Sequence, residues 1–242
     1  MQLSKRLQAV ADLVTTGNAV ADVGCDHAYI SIYLAKQKNS PRVIAMDVNQ
    51  GPIDRANENI IKYGCENKIE TRKSDGLQKL EVGEVDTILI GGMGGALTIQ
   101  ILSAKLEVMK TVKELVLQPQ SEVNKVRQFL QEQEFCIVDE NMLYEDGKYY
   151  VMMRAIPKVN ASEDSEKYQL QTEEHFYYGR HLLEMKNPVL KEFLLWDLSL
   201  CQGIKDNLLR TQTDNSKIRL KELEQQMELI QKGLKLFELC SC

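Results

Sequence analysis

The sequence predicts a doubly wound α/β domain, a mostly parallel sheet closed by an antiparallel hairpin, followed by a helical hairpin. Three observations predict it. Short apolar β-type runs alternate with helical runs from residue 19 to residue 131, the pattern of βαβ units on a parallel sheet. The first run, Ala19–Val23, breaks at Gly24-Cys25-Asp26-His27-Ala28 into a helical pattern at Tyr29, Ile30, Tyr33 and Leu34. Such a strand–turn–helix receives a nucleotide-like ligand at the carboxyl end of the first strand. Finally, apolar residues recur three and four apart from Leu190 to Phe237, as on paired helices.

Ser4–Val14 reads as an amphipathic helix with Leu3, Leu7, Val10 and Val14 on one face, a brace on the sheet. Arg6 lies beside that stripe and is a candidate contact to a bound ligand. The second strand, Arg42–Met46, closes on Asp47 with Val48 after it. The interval from Gly24 to Asp47 matches the ~20 residues that separate a glycine turn from a ribose-binding carboxylate. A helix follows from Pro52 to near Gly64, with Pro at its start and Gly at its stop. Lys68–Lys73 is a third strand running into Ser74-Asp75-Gly76, and Val85–Ile90 a fourth running into Gly91-Gly92-Met93-Gly94-Gly95. A helix over Ala96–Met109, a fifth strand at Leu115–Leu117 ending in Gln118-Pro119-Gln120, and a helix over Ser121–Gln131 complete the alternation.

Two strand-like runs, Phe135–Tyr144 and Lys148–Ile156, then flank Glu145-Asp146-Gly147, and Asp-Gly is a strong hairpin signal. Five alternating units capped by a hairpin is the layout of the S-adenosylmethionine (SAM)-dependent methyltransferase sheet rather than of a plain dinucleotide dehydrogenase. Pro157–Ser165 is polar and rich in helix breakers. The expected division is therefore a SAM-binding, Rossmann-like methyltransferase domain over 1–157 and an antiparallel coiled-coil domain over 158–242. In the latter, Leu190, Leu194, Leu198, Cys201, Ile204 and Leu208 face Leu220, Leu223, Met227, Ile230, Leu234 and Phe237, with a turn at Thr211–Asn215.

Composition narrows the class. With 43% hydrophobic residues the chain is an ordinary globular protein. The net charge of −5 argues against a charge-driven nucleic-acid binder while leaving room for local basic patches. No apolar run approaches the ~20 residues that span a bilayer, and the N-terminus lacks the apolar centre of a signal peptide. The six cysteines have no Cys-x-x-Cys spacing and fit a reducing compartment. A cytoplasmic protein without a membrane segment is expected. His175 and His181 are far from His27 in the sequence, so no metal site is expected.

The turn Gly24-Cys25-Asp26-His27-Ala28 departs from Gly-x-Gly-x-x-Gly, with Asp26 at the second glycine position and Ala28 at the third. A carboxylate there repels a pyrophosphate. A ligand with a ribose and an ammonium but no phosphate accepts it, and SAM is such a ligand. In this reading Asp47 holds the ribose, Asp75 beside Gly76 meets the adenine amino group, and Asp22 or Asp26 reads the ammonium. His27 either lines the pocket or caps backbone. The cofactor set is thus Arg6, Asp22, Gly24, Asp26, His27, Asp47, Val48, Asp75, Gly76, Gly91, Gly92 and Met93. The glycine-rich loop after the fourth strand sits on the acceptor side, where glycines admit a planar base and Met93 offers a flexible apolar contact. That loop lacks the (Asp/Asn)-Pro-Pro-(Tyr/Phe) quartet used on exocyclic amines. An acceptor that already carries a lone pair, such as adenine N1, needs orientation rather than an essential base. Met93, Gly94, Gln118, Pro119 and Asn124 are the acceptor-side candidates, and no catalytic acid or base stands out.

Taken together, SKRL at Ser4–Leu7, ADVGCDHAY at Ala21–Tyr29, GGMGG at Gly91–Gly95, LQP at Leu117–Pro119 and EDGKYY at Glu145–Tyr150 resemble the bacterial tRNA adenine-N1 methyltransferases that modify position 22 in the D-arm. The resemblance implies SAM as methyl donor, tRNA as substrate and a C-terminal helical hairpin that helps to hold it. Two basic sets are candidates to clasp the tRNA backbone: Lys62, Lys68, Arg72, Lys73 and Lys79, and Lys205, Arg210, Lys217, Arg219 and Lys221. A monomer is expected, with a weak dimer as the alternative. Competing readings are a nicotinamide-dependent oxidoreductase, a coiled-coil adaptor that only senses SAM, and a methyltransferase for another RNA, a protein or a small molecule.

Overall fold

Parallel pairing organises the first half of the chain. In the computed structural model, which describes residues 1–161, 165–211 and 214–238, helix α1 (Lys5–Leu13) precedes β1 (Val20–Val23), α2 (Tyr29–Gln37), β2 (Val43–Asp47), α3 (Gln50–Lys62) and β3 (Ile69–Lys73). Then come β4 (Thr87–Met93), α4 (Gly95–Ser103), α5 (Leu106–Met109), β5 (Glu114–Pro119), α6 (Val123–Glu132), β6 (Phe135–Glu145) and β7 (Lys148–Pro157). The seven strands lie in the order β3-β2-β1-β4-β5-β7-β6. β1 to β5 are mutually parallel, and β7 is antiparallel to both β5 and β6.

Every residue of β1 and β5 is buried, as are the first four of β2 and of β4. Strands covered on both faces need such continuous apolar runs. Ser4 caps α1, its Oγ accepting from Leu7 N at 3.3 Å. The stripe of α1 then buries Val10 and Ala11, with Leu3 and Leu7 half-buried against the same core. The β6–β7 turn places Asp146 and Gly147 at φ +50° and +80°, the two left-handed residues that a twisted two-residue hairpin requires.

Two expected elements differ. β4 does not end at Ile90 but continues through Gly91 and Gly92 to Met93, with an irregularity in its pairing to β5 between Gly91 and Met93. The expected helix 96–109 is two helices, broken at Lys105. Ile101, Leu102, Val108 and Met109 are buried, and a continuous helix would set Lys105 on the same stripe. With the helix broken there, the Lys105 side chain is half-buried and its Nζ lies 3.5 Å from Glu107 Oε1.

The chain divides into two compact units, Met1–Gln169 and Leu170–Cys242. Pro157 is the last residue of β7, and two short 3-10 turns, Lys158–Asn160 and Ser165–Tyr168, stay with the first unit. The second unit is helical, with α7 (Arg180–Glu184), α8 (Pro188–Thr211) and α9 (Asp214–Glu238). Asn187 caps α8, its Oδ1 accepting from Val189 N (3.0 Å) and Leu190 N (3.1 Å). α8 and α9 run antiparallel: Lys205 bonds Glu224 at 2.8 Å, Gln226 donates to Asp197 at 3.3 Å, and Leu194 lies against Gly233. Leu190, Leu194, Cys201, Leu223 and Ile230 are buried. Ile204, expected in that seam, is exposed with Trp196 and Leu200 on another face of α8. Residues 212–213 of the expected turn, residues 162–164 of the polar stretch, and Cys240 and Cys242 lie outside the described residues.

Candidate active site

The sheet order reverses between β1 and β4, and their register sets Val23 beside Ile90. The glycine turn after β1 and Gly91-Gly92 on β4 therefore leave the sheet side by side, which is where a doubly wound sheet opens a crevice. A cavity of about 300 Å³ lies there. Arg6, Leu7 and Val10 of α1, Asp22 of β1, Gly24, Cys25, Asp26 and His27 of the first turn, Tyr29 and Ile30 of α2, Leu89, Gly91 and Gly92 of β4, and Gln120 line it.

The turn keeps the backbone of a glycine turn without the glycines. Gly24, Asp26 and Ala28 have φ of +78°, +43° and +57°, so Asp26 and Ala28 hold left-handed positions that cost an L-residue roughly 1–2 kcal/mol each. At Gly24 a Cβ would collide with the Met93 side chain, so the end of β4 packs directly on the turn. Gly24 N and Cys25 N both donate to Met46 O (2.8 and 3.0 Å), and Ser74 N donates to Asp47 O (2.9 Å). The ends of β1, β2 and β3 are thereby tied together.

The two candidate ammonium readers have different surroundings. Asp22 is buried in the cavity wall, and Ser31 Oγ donates to its Oδ2 at 2.6 Å. Burial pushes its carboxyl up to about 6 against the pull of that hydrogen bond. Asp26 is exposed at the rim, where its Oδ1 accepts from Arg55 Nη2 at 2.9 Å and its Oδ2 lies 3.6 Å from His27 Nε2. The His27 ring stacks on Tyr29 at 5.4 Å. Burial and the carboxylates of Asp22 and Asp47 push the Cys25 thiol up, which keeps it from acting as a thiolate.

Opposite the turn, the loops after β4 and β5 are knitted together. Gln120 N donates to Met93 O (2.8 Å), Gly95 N to Ser121 O (3.1 Å), and Gly92 N to Gln118 Oε1 (3.1 Å). Arg6 Nη1 donates to the same Gln118 Oε1 at 2.9 Å, and the Arg6 guanidinium lies over the Tyr150 ring, 5.4 Å from its centroid.

Of the sequence candidates, Arg6, Asp22, Gly24, Asp26, His27, Gly91 and Gly92 meet around the cavity. Asp47, Val48, Asp75 and Gly76 stand outside its lining, at and beyond the ends of β2 and β3. Asp47 Oδ1 accepts from Asn49 N (2.9 Å), while Val48 and Asp75 are exposed. Met93 reaches Gly24, and Gly94, Pro119 and Asn124 surround the β4–β5 loops. Leu7, Val10, Cys25, Tyr29, Ile30, Leu89 and Gln120 line the cavity without having been named as site residues from the sequence. Their signal was present, since Leu7 and Val10 are the apolar stripe of a helix read as a brace. Among the described residues, no group of three or more His, Cys, Asp and Glu side chains is placed to hold a metal ion, and no helix is long and apolar enough to cross a membrane.

Residues 3–153 match a methyltransferase domain family. The chain is 33% identical to the tRNA (adenine(22)-N(1))-methyltransferase of Bacillus subtilis (strain 168), over 95% of this chain and 96% of that protein. The crystal structure of the B. subtilis enzyme aligns with a TM-score of 0.83, covering 96% of this chain and 99% of the other. The M. capricolum enzyme in complex with S-adenosyl-homocysteine aligns at 0.82 with 26% identity, over 98% of this chain and all of the other. Likeness over both whole chains, hairpin and C-terminal helices included, excludes a shared Rossmann-like sheet as its only source, and this chain belongs to the tRNA (adenine(22)-N1)-methyltransferase family.

Proposed function

We propose that this chain is a cytoplasmic enzyme that transfers the methyl group of SAM to N1 of the adenine at position 22 of tRNA, acting as a monomer. The observation that carries the reading is Asp22, a buried carboxylate in the wall of a cavity at the β1/β4 switch point. It suits a ligand with an ammonium group and disfavours a pyrophosphate. Asp26 is already paired with Arg55, which leaves Asp22 as the ammonium reader. Asp47 is the ribose carboxylate, with Val48, Asp75 and Gly76 along the adenine edge and Arg6, Gly24, His27, Gly91, Gly92 and Met93 completing the cofactor site.

When bound, SAM supplies an electrophilic methyl group. The protein's part is to hold, orient and dry the two reactants. Adenine N1 carries its own lone pair, so no residue has to remove a proton before transfer. The β4 and β5 loops, with Met93, Gly94, Gln118, Pro119 and Asn124, receive the base. The first unit then carries the chemistry, and the second grips the tRNA through Lys205, Arg210, Lys217, Arg219 and Lys221.

The first-unit basic set is a poorer grip. Arg72 is held by Glu70 (2.6 Å) and Glu84 (2.8 Å), and Lys68 donates to Ala35 O at 3.1 Å. The deciding experiment is tritiated methyl transfer from SAM to unmodified tRNA, with nucleoside analysis of the product. 1-Methyladenosine at position 22 is expected. Labelled protein, another nucleoside, or SAM binding without transfer refutes the reading.

A further inference from the structure

Gln118 has no exposed surface, and its two amide ends are treated differently. Its Oε1 accepts twice, from Arg6 Nη1 (2.9 Å) and Gly92 N (3.1 Å), while its Nε2 has no hydrogen-bond partner among the described residues. Turning the amide over would set its NH2 against two donors. Its orientation is therefore imposed by its neighbours rather than free.

Arg6 is itself held. Glu145, at the tip of the β6–β7 hairpin, accepts from Lys5 N (2.8 Å) and Arg6 N (3.1 Å) at the start of α1. Arg6 and Gly92 are both part of the cavity wall. A buried N–H that no protein group takes shifts an equilibrium against the ligand-free state by about ten- to a hundredfold, which a ligand acceptor atom recovers.

We propose that Gln118 reads the target adenine, its Nε2 donating to a ring nitrogen other than N1, and that Arg6 is the positioning residue that keeps the carboxamide turned that way. The proposal rests on the methyl-transfer reading above and goes beyond it by naming the atom and the bond. The choice follows from the chemistry of the base. N1 must keep its lone pair for the methyl group, and the exocyclic amino group is a donor, which leaves N3 and N7 as acceptors. Nε2 has no accessible surface in this state, so the base reaches it as the wall of Arg6 and Gly92 yields. Gly92, whose N–H is bonded to Gln118 Oε1, lies at φ +79° within the irregular pairing of β4 and β5.

The test combines Gln118→Glu with tRNA assembled to carry adenine, 3-deazaadenine or 7-deazaadenine at position 22. Glutamate keeps an oxygen for Arg6 and Gly92 but offers no donor, and both deaza rings leave N1 at least as basic as in adenine. The wild-type enzyme is expected to lose about ten- to a hundredfold in kcat/KM on one of the two analogues, which identifies N3 or N7. Gln118→Glu should show the same loss on adenine, no further loss on that analogue, and a SAM affinity within about twofold of wild type. Arg6→Ala should abolish the discrimination between adenine and that analogue, a readout that a merely structural role would not move.

Wild-type indifference to both analogues overturns the proposal without reference to any variant. So does additive loss in Gln118→Glu, or a fall in SAM affinity that matches the fall in kcat/KM. Failure of the underlying reading is distinct, because it shows as wild-type enzyme that does not methylate unmodified tRNA at all.

Discussion

Asp22 is a carboxylate whose burial works against the ligand-free fold. Its folded pKa of about 6 lies above its ordinary value of 3.8. The folded chain therefore binds the Asp22 proton more tightly than the unfolded chain does. That contribution stabilises the fold at low pH and is lost as pH rises from about 4 through about 6. A cationic partner reverses the preference, since an ammonium favours the ionised form. SAM affinity is accordingly expected to fall as pH drops below about 6, approaching tenfold per unit. Asp22→Asn should raise the ligand-free Tm at neutral pH, weaken SAM binding there and flatten its pH dependence. Calorimetry and thermal melts across this range check both signs; a pH-independent wild-type affinity would remove Asp22 from the ammonium site. At this scale the sequence showed which residues crowd the strand ends but not how they pair. Asp26 read as a candidate for the ammonium because Arg55, its partner at 2.9 Å, is 29 positions away on α3. The double hold on Gln118 has the same character, made by residues from α1, β4 and β5 that no local spacing connects.

The elements themselves were largely legible, because each follows from local physics. Apolar runs with glycine ends give the parallel strands, Asp146-Gly147 gives the hairpin, and Asn187-Pro188 gives the start of α8. The misread segments, β4 and the helix after it, are those where tertiary contacts override periodicity. GGMGG read as one glycine-rich loop, yet its glycines have different tasks. A Cβ at Gly95 would run into the backbone carbonyl of Ser121, which cannot move without parting the β4 and β5 loops, whereas a Cβ at Gly94 meets only the Ser121 hydroxyl at 3.2 Å. Gly95→Ala should therefore destabilise the fold by about 2 kcal/mol, as overpacking against fixed backbone does, with Gly94→Ala costing less than half as much. Denaturant melts of the two variants test this. Equal losses would mean that the Ser121 carbonyl gives way as readily as its hydroxyl, and the tie between the β4 and β5 loops at Gly95 would then not be fixed.

For the molecule as a whole, substrate size sets the problem. A net charge of −5 opposes a polyanion at long range, so tRNA capture needs cations that internal acids do not fully neutralise. In the first unit Arg72 and Arg42 are tied to Glu70 and Glu84, and Arg72 holds the Glu84 carboxyl down at about 2. In the second unit the basic residues cluster at the end of α8 and the start of α9. Arg219 is matched to Glu222 at 2.8 Å, while the side chain of Arg210 is exposed. Exposed pairs of this kind are worth little, about 0–1 kcal/mol, so phosphates can compete for the cations. Replacing Arg210, Lys217 and Arg219 together by Gln should raise the KM for tRNA about tenfold, with SAM affinity unchanged. It should also flatten the dependence of log KM on log salt by up to about three, one for each phosphate no longer neutralised. The salt slope is the discriminating readout, because a variant that merely loosened the helices would raise KM without changing it. An unchanged KM and slope would take α8 and α9 out of the tRNA interface and leave the first unit to hold its substrate alone.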